Sequence, residues 1–193
     1  KAAEVFAELR CPLFIAAGNR DDRVALSTTF PDSCSILNDT SYIQYSVDEF
    51  SVRLIAIDTL SKTTNMGSFC DVRANNLSEM LAENQTKPTA IFMHHPPFEV
   101  YQSKHKWQFD SREDIVILEQ ALEGHKQVIR AFCGHSHRET EGQMAGIPAS
   151  CTPSIAMKLR LGEFPDAAAT APVYQIHQFD SYSNFTTKTR IVK

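Results

Sequence analysis

The chain has 193 residues, 42% hydrophobic and 22% charged, enough for one folded domain (1–193) with a sizeable core. A formal net charge of -4 excludes a broad nucleic-acid-binding face. No apolar stretch approaches the roughly 20 residues of a membrane span, and five cysteines with no C-x-x-C pair argue for a reducing, cytoplasmic setting.

Residues 1–10 carry Val5, Phe6 and Leu9 on one helical face, and Cys11-Pro12 ends the pattern. The chain starts inside this helix without an initiator Met, so an N-terminally incomplete domain is the expectation. Residues 13–17 are an apolar run of strand length, and 42–47 and 52–57 predict two further strands. Leu77, Met80 and Leu81 set a helix over 75–84, and 89–93 is an apolar strand that runs into "HHPP". Residues 98–109 have no period and read as a loop. Ser111-x-x-Asp114 resembles a capping box for a helix that ends at Gly124. An apolar strand over 128–133 runs into "GHSH". The tail, 173–193, alternates as a strand pair around the turn-prone 180–184. This alternation of strands and helices predicts an α/β layered domain.

Three apolar runs end alike: "LFIAA" in Gly18-Asn19, "AIFM" in His94-His95-Pro96-Pro97, and "VIRAFC" in Gly134-His135-Ser136-His137. Sites in layered α/β proteins lie at the carboxyl ends of parallel strands. Parallel packing would therefore bring four imidazoles and an amide oxygen to one edge. Imidazole suits Zn, Fe and Ni, whereas oxygen ligands favour harder ions such as Mn. Taken singly, each motif is an ordinary loop or turn; the order of all three at strand ends is what points to a metal.

In that order, "GN-x-D", "HHPP" and "GH-x-H" resemble the calcineurin-like metallophosphoesterases, and the wording is similar to the class III cyclic-nucleotide phosphodiesterases and bacterial glycerophosphodiesterases. The resemblance runs from Pro12 to about Ser154. It implies a four-layer αββα sandwich, here lacking its N-terminal portion, and two divalent ions drawn from Mn, Fe, Zn or Co. Asn19, His94 and His135 correspond to ligands of the second ion and His137 to a ligand of the first. It places His95 behind the ligands, Asp21 as a brace or alternatively a helix cap, and Asp58 near the same edge in a supporting role. The implied reaction is hydrolysis of a small phosphodiester, a cyclic nucleotide or a glycerophosphodiester, by a hydroxide bridging ions about 3.5–4 Å apart.

Two departures stand out. The D-x-H and G-D-x-x-[DN] motifs, which supply further ligands in the family, are absent from these residues, so the same count leaves one ion or none for the chain as given. Where the family loop has a phosphate-facing His, this chain has Arg20. A guanidinium clamps phosphate well and is a poor general acid, which leaves leaving-group protonation to water or to His105. Tyr101, Trp107 and Phe109 either stack on substrate or pack the 98–109 loop onto the body. Lys104 and Lys106 read as a solvated face. A non-catalytic domain of the same fold is the rival reading, and a structural zinc site from His94, His135 and His137 the third. An open apolar edge would invite a second copy, so either a homo-oligomer or a chain whose first residues lie outside this sequence is expected, beside the small substrate and with no nucleic-acid polymer and no membrane.

Overall fold

The computed structural model describes residues 2–37 and 40–192. In chain order the elements are α1 (Ala2–Phe6), α2 (Arg23–Thr29), β1 (Tyr45–Val47), β2 (Arg53–Ile57), α3 (Asp71–Glu83), β3 (Thr89–Met93) and α4 (Arg112–Leu122). There follow β4 (Val128–Cys133), β5 (Thr140–Met144), β6 (Ile147–Cys151), α5 (Asp166–Ala169), β7 (Val173–Phe179) and β8 (Phe185–Ile191). Six strands form one mixed sheet in the order β1-β2-β3-β4-β6-β5, and β7-β8 form a separate antiparallel pair. β2, β3, β4 and β6 run parallel, with β1 and β5 antiparallel at the two edges. No helix among the described residues is long and apolar enough to cross a membrane.

The pleat explains how the layers divide. Ile55, Ile57, Ile91, Met93 and Ala131 alternate along β2, β3 and β4 and pack in one core with Leu77 and Leu81 of α3 and Ile115 and Leu118 of α4. Leu54, Phe92 and Phe132 point the other way. They line a groove shared with Phe14, His177 and Phe185, and the Phe132 ring lies 4.0 Å from His177. α4 begins where the sequence predicts: the Ser111 hydroxyl accepts from the Asp114 N–H at 3.1 Å. It ends before Gly124, whose φ of 81° suits a residue without a Cβ. β5 and β6 meet in a two-residue turn, Ala145-Gly146, with φ of 50° and 80°, the left-handed pair that a tight hairpin requires.

One predicted strand does not form. Residues 13–17 are extended but join no ladder. Their hydrogen bonds go elsewhere: Ile15 N–H donates to Ser33 O at 2.8 Å and to the Tyr45 hydroxyl at 2.8 Å. That hydroxyl lies 3.0 Å from Ile15 O. A side chain of β1 thus stands where a neighbouring strand would pair. The first helix is also shorter than its apolar pattern suggested.

Asp58, expected near the metal edge, directly follows β2 and is fully buried. It does not reach the histidines. Its carboxylate accepts two bonds from Arg23, from Nε at 2.7 Å and from Nη2 at 2.8 Å. It also accepts from the backbone N–H groups of Ile43 at 2.8 Å and Leu60 at 3.0 Å. Arg73 of α3 donates to the Asp58 carbonyl at 3.1 Å. The Tyr42 ring lies 5.0 Å from the Arg23 guanidinium and 4.6 Å from that of Arg73. With four N–H donors at its two oxygens, Asp58 holds backbone and Arg23 in place and acts on the metal edge through the segment that presents Asn19 rather than by contact with a histidine. Removing one partner of such a pair leaves an uncompensated buried charge, a loss of about 3–5 kcal/mol. Asp58→Ala should show that loss in urea unfolding; a change below about 1 kcal/mol would contradict the assignment.

Candidate metal centre

The carboxyl ends of β3 and β4 lie side by side, and the Gly134 N–H donates to His94 O at 2.9 Å, carrying their pairing one step past the sheet. His94 and His135 leave from these ends. The extended segment 13–17 delivers Asn19 to the same point. Asn19 Oδ1 lies 3.0 Å from His94 Nε2, and His135 Nδ1 lies 3.2 Å from that same nitrogen. Around a single ion bound at about 2.0–2.2 Å, ligand atoms stand roughly 3.3–3.6 Å apart in a tetrahedron and about 2.8–3.1 Å apart in an octahedron. The two distances about His94 Nε2 lie within the span of these values, so the donor set fits a divalent ion.

Gly18 eases this convergence: a Cβ there would fall 3.3 Å from the His94 ring, whereas one at Gly134 would make an ordinary contact at 3.6 Å. The Gly18 N–H donates to Asp21 Oδ2 at 2.8 Å. Asp22, not Asp21, caps α2, accepting from the Ala25 N–H at 2.8 Å. Asp21 therefore braces the bend that presents Asn19.

His135 and His137 both adopt left-handed backbone, with φ of 61° and 57°. Such a conformation costs a non-glycine residue about 1–3 kcal/mol and clusters at functional sites. The turn separates the two rings. His94, His95 and His135 hold their ligand nitrogens within 4.8 Å of one another, and His137 stands outside that group. It is still near enough for its charge to depress protonation of His94 and His135.

His95 is fully buried behind the ligands. Its Nδ1 lies 2.9 Å from the Thr59 hydroxyl and its Nε2 3.3 Å from Asn65 O. A carbonyl only accepts, so Nε2 carries the proton and Nδ1 accepts from Thr59. Both nitrogens are occupied, which suits His95 to packing rather than ligation. Its ring stands 4.7 Å from His94 and 4.5 Å from His135. A Cβ at Gly67 would fall 2.8 Å from His95 Cβ, so the wall behind the site tolerates no larger residue there. Thr59, Asn65 and Gly67 carry no sequence motif; only their place beside His95 reveals them.

Burial, aided by neighbouring imidazoles, lowers the pKa of His94 to about 4 and of His95 to about 2, and burial with His137 lowers that of His135 to about 4. All three are neutral near pH 7, the state a metal ligand needs.

Beside Asn19 opens a polar pocket of about 750 Å³, walled by the 19–24 segment, Ser41 and the 60–65 loop. Exposed Arg20 belongs to its lining. Tyr101, Trp107 and Phe109, for which stacking on substrate and packing of the loop were both open, do not line this pocket. Phe109 is buried with its ring 6.2 Å from His95, and the Arg112 guanidinium covers Trp107 at 3.5 Å. Tyr101 and Trp107 line a separate hollow with Phe98 and Gly142. His105 is exposed, and no contact joins it to the histidines among the described residues. Packing of the apolar rings Phe98, Phe109 and Trp107 into the body accounts for the loop.

No family model matches the chain, but curated proteins do. It is 32% identical over 157 residues to the glycerophosphodiester phosphodiesterase GpdQ of Enterobacter lignolyticus, covering 77% of this chain and 55% of that protein. It is 31% identical over 153 residues to a protein of Rhodopseudomonas palustris named "Probable cyclic nucleotide phosphodiesterase", covering 76% of this chain and 53% of that one. A protein of Arcobacter nitrofigilis named "Probable glycerophosphodiester phosphodiesterase GpdQ" is 24% identical over 191 residues, 95% of this chain and 68% of its own length. The chain thus spans about half the length of the first and of the Rhodopseudomonas relative, and about two thirds of the Arcobacter one. It is a homologue of these proteins named as phosphodiesterases, which is consistent with the metallophosphoesterase group.

Proposed function

We propose that the protein is a metal-dependent phosphodiester hydrolase whose centre is built on Asn19, His94, His135 and His137. The observation that carries this reading is the spacing of Asn19 Oδ1 and His135 Nδ1 around His94 Nε2, 3.0 and 3.2 Å. Asn19, His94 and His135 would hold one divalent ion and His137 would contribute to a second. Further ligands, and the second half of a four-layer αββα sandwich, would come from chain outside these residues, against the apolar face of Leu54, Phe92 and Phe132. When bound, such an ion pair acts as a Lewis acid toward a phosphoryl oxygen and makes water acidic enough to attack near neutral pH.

The chain's own residues do the rest. Gly18 leaves room for the His94 ring beside Asn19. Asp21 fixes the bend before Asn19, and His95, held by Thr59 and Asn65, blocks the space behind His94 and His135. Arg20 reaches the pocket as a phosphate clamp, its fork of N–H donors matched to phosphate oxygens. Being permanently protonated, it orients the diester without supplying a proton to the leaving alkoxide.

Loading the full-length protein with Mn²⁺ and assaying bis(p-nitrophenyl) phosphate tests the reading. His135→Ala and Asn19→Ala should each lower metal content, with hydrolysis reduced about 100-fold or more. Arg20→Ala should keep the metal and lose turnover by about tenfold or more, through one charge-assisted phosphate contact. Full turnover by His135→Ala would refute the ligand set, and a metal-loaded protein without hydrolysis would favour a binding domain.

A second expectation follows from protonation. In the folded metal-free protein His94 and His135 titrate near 4, against 6.5 for the ordinary side chain. A depressed value means the unfolded chain takes up protons first as pH falls. The stability these groups contribute is therefore complete above about pH 6.5 and is lost progressively down to about pH 4. The urea midpoint of metal-free protein should fall between pH 7.5 and pH 5; an unchanged or rising midpoint would contradict the burial of these neutral imidazoles.

A further inference from the structure

The pocket beside Asn19 carries two cations that make no ion pair among the described residues. Arg23 at its wall is paired with Asp58, and the Asp21 and Asp22 carboxylates are directed to the Gly18 and Ala25 N–H groups. Arg20 and Lys62 differ. Among the described residues neither side chain has an ion pair or a hydrogen bond, and both line the same 750 Å³ space.

Lys62 is exposed, yet the loop beneath it is built. At one end the Leu60 carbonyl accepts from Arg23 Nη2 at 2.6 Å. At the other the Asn65 carbonyl takes the His95 Nε2 proton at 3.3 Å. Between them Ser61, only 8% exposed, meets the Thr63 hydroxyl at 3.3 Å and accepts from the Thr63 N–H at 3.4 Å. Lys62 is thus carried on a short segment fastened at both ends to the parts that position the metal ligands. Hydroxyls of Ser41, Ser61 and Thr63 share the lining with it, and no aromatic ring does. A nucleobase would find no stacking surface there, while a hydrophilic anionic group would meet a cation and several donors.

We propose that Lys62 forms a subsite for a second anionic group on the alcohol part of the substrate, so that the protein prefers phosphodiesters whose alcohol bears a carboxylate or phosphate. This rests on the functional reading above, in which Arg20 takes the reacting phosphoryl group. Lys62 touches neither that group nor a ligand; its ammonium is a point charge on a flexible stem, suited to selecting charge rather than orienting a reaction.

Two ligands that differ by one carboxylate isolate the effect: glycerol 3-phosphate and 3-phosphoglycerate. Their binding to the Mn²⁺-loaded full-length protein, measured by calorimetry, reads the subsite without turnover. The protein should bind 3-phosphoglycerate about fivefold more tightly. Lys62→Gln should abolish that preference and Lys62→Arg should keep it, with metal content and hydrolysis of bis(p-nitrophenyl) phosphate unchanged in both. Equal affinity for the two ligands, or a preference that survives in Lys62→Gln, overturns the proposal. The latter would assign the carboxylate to the metal. Binding of neither ligand also overturns it. Selective 3-phosphoglycerate binding without hydrolysis of any diester would remove the catalytic reading and leave the subsite standing.

Discussion

The buried pair between Arg23 and Asp58 is the constraint on which the site's architecture depends. Asp58 directly follows a central strand and Arg23 opens the helix that follows the Gly18-Asn19 bend. Joining them fixes where the segment 13–22 crosses the carboxyl edge of the sheet. Segment 13–17 has no ladder of its own, so its position comes from this clamp and from the Tyr45 hydroxyl. The same carboxylate takes the N–H groups of Ile43 and Leu60. One residue thereby sets both the loop that presents Asn19 and the loop that lines the pocket opposite. The arrangement is costly to desolvate, and its value lies in specifying one geometry for groups that share no regular hydrogen bonding.

From that geometry the chemistry follows by proximity. Parallel strands deliver His94 and His135 with only a glycine between the second strand's end and its ligand. The clamped loop adds an amide oxygen. Dry surroundings keep the imidazoles neutral, and a fully hydrogen-bonded His95 fills the space behind them. The pocket, by contrast, is polar and wide. A dry cluster of imidazoles thus stands beside a polar, charged recess, the two regions to which the proposed function gives ion and substrate.

How far the sequence spoke for itself varied with the kind of residue. The strands at 89–93 and 128–133 were legible because apolar runs with strong end signals need little context. The motif histidines were legible because their residue types and order carry chemistry. The β5–β6 hairpin was not, since "TEGQM" and "IPASC" are short and half-polar and their turn uses Ala-Gly rather than Asn-Gly. The partners of Asp58 and of the aromatic loop were not legible for a common reason: a side chain at a strand end or in a polar loop can turn inward, and only tertiary partners decide. Arg23, Thr59 and Gly67 were silent because a clamp, a hydroxyl prop and a steric wall depend on what lies across the fold.

The left-handed backbone at His135 and His137 has a consequence for which residues stand in the turn. A glycine would adopt both dihedrals without steric cost, yet it would remove the ring and loosen the chain around it. The backbone cost of about 1–3 kcal/mol at each position is therefore tied to keeping imidazoles there rather than to making the turn.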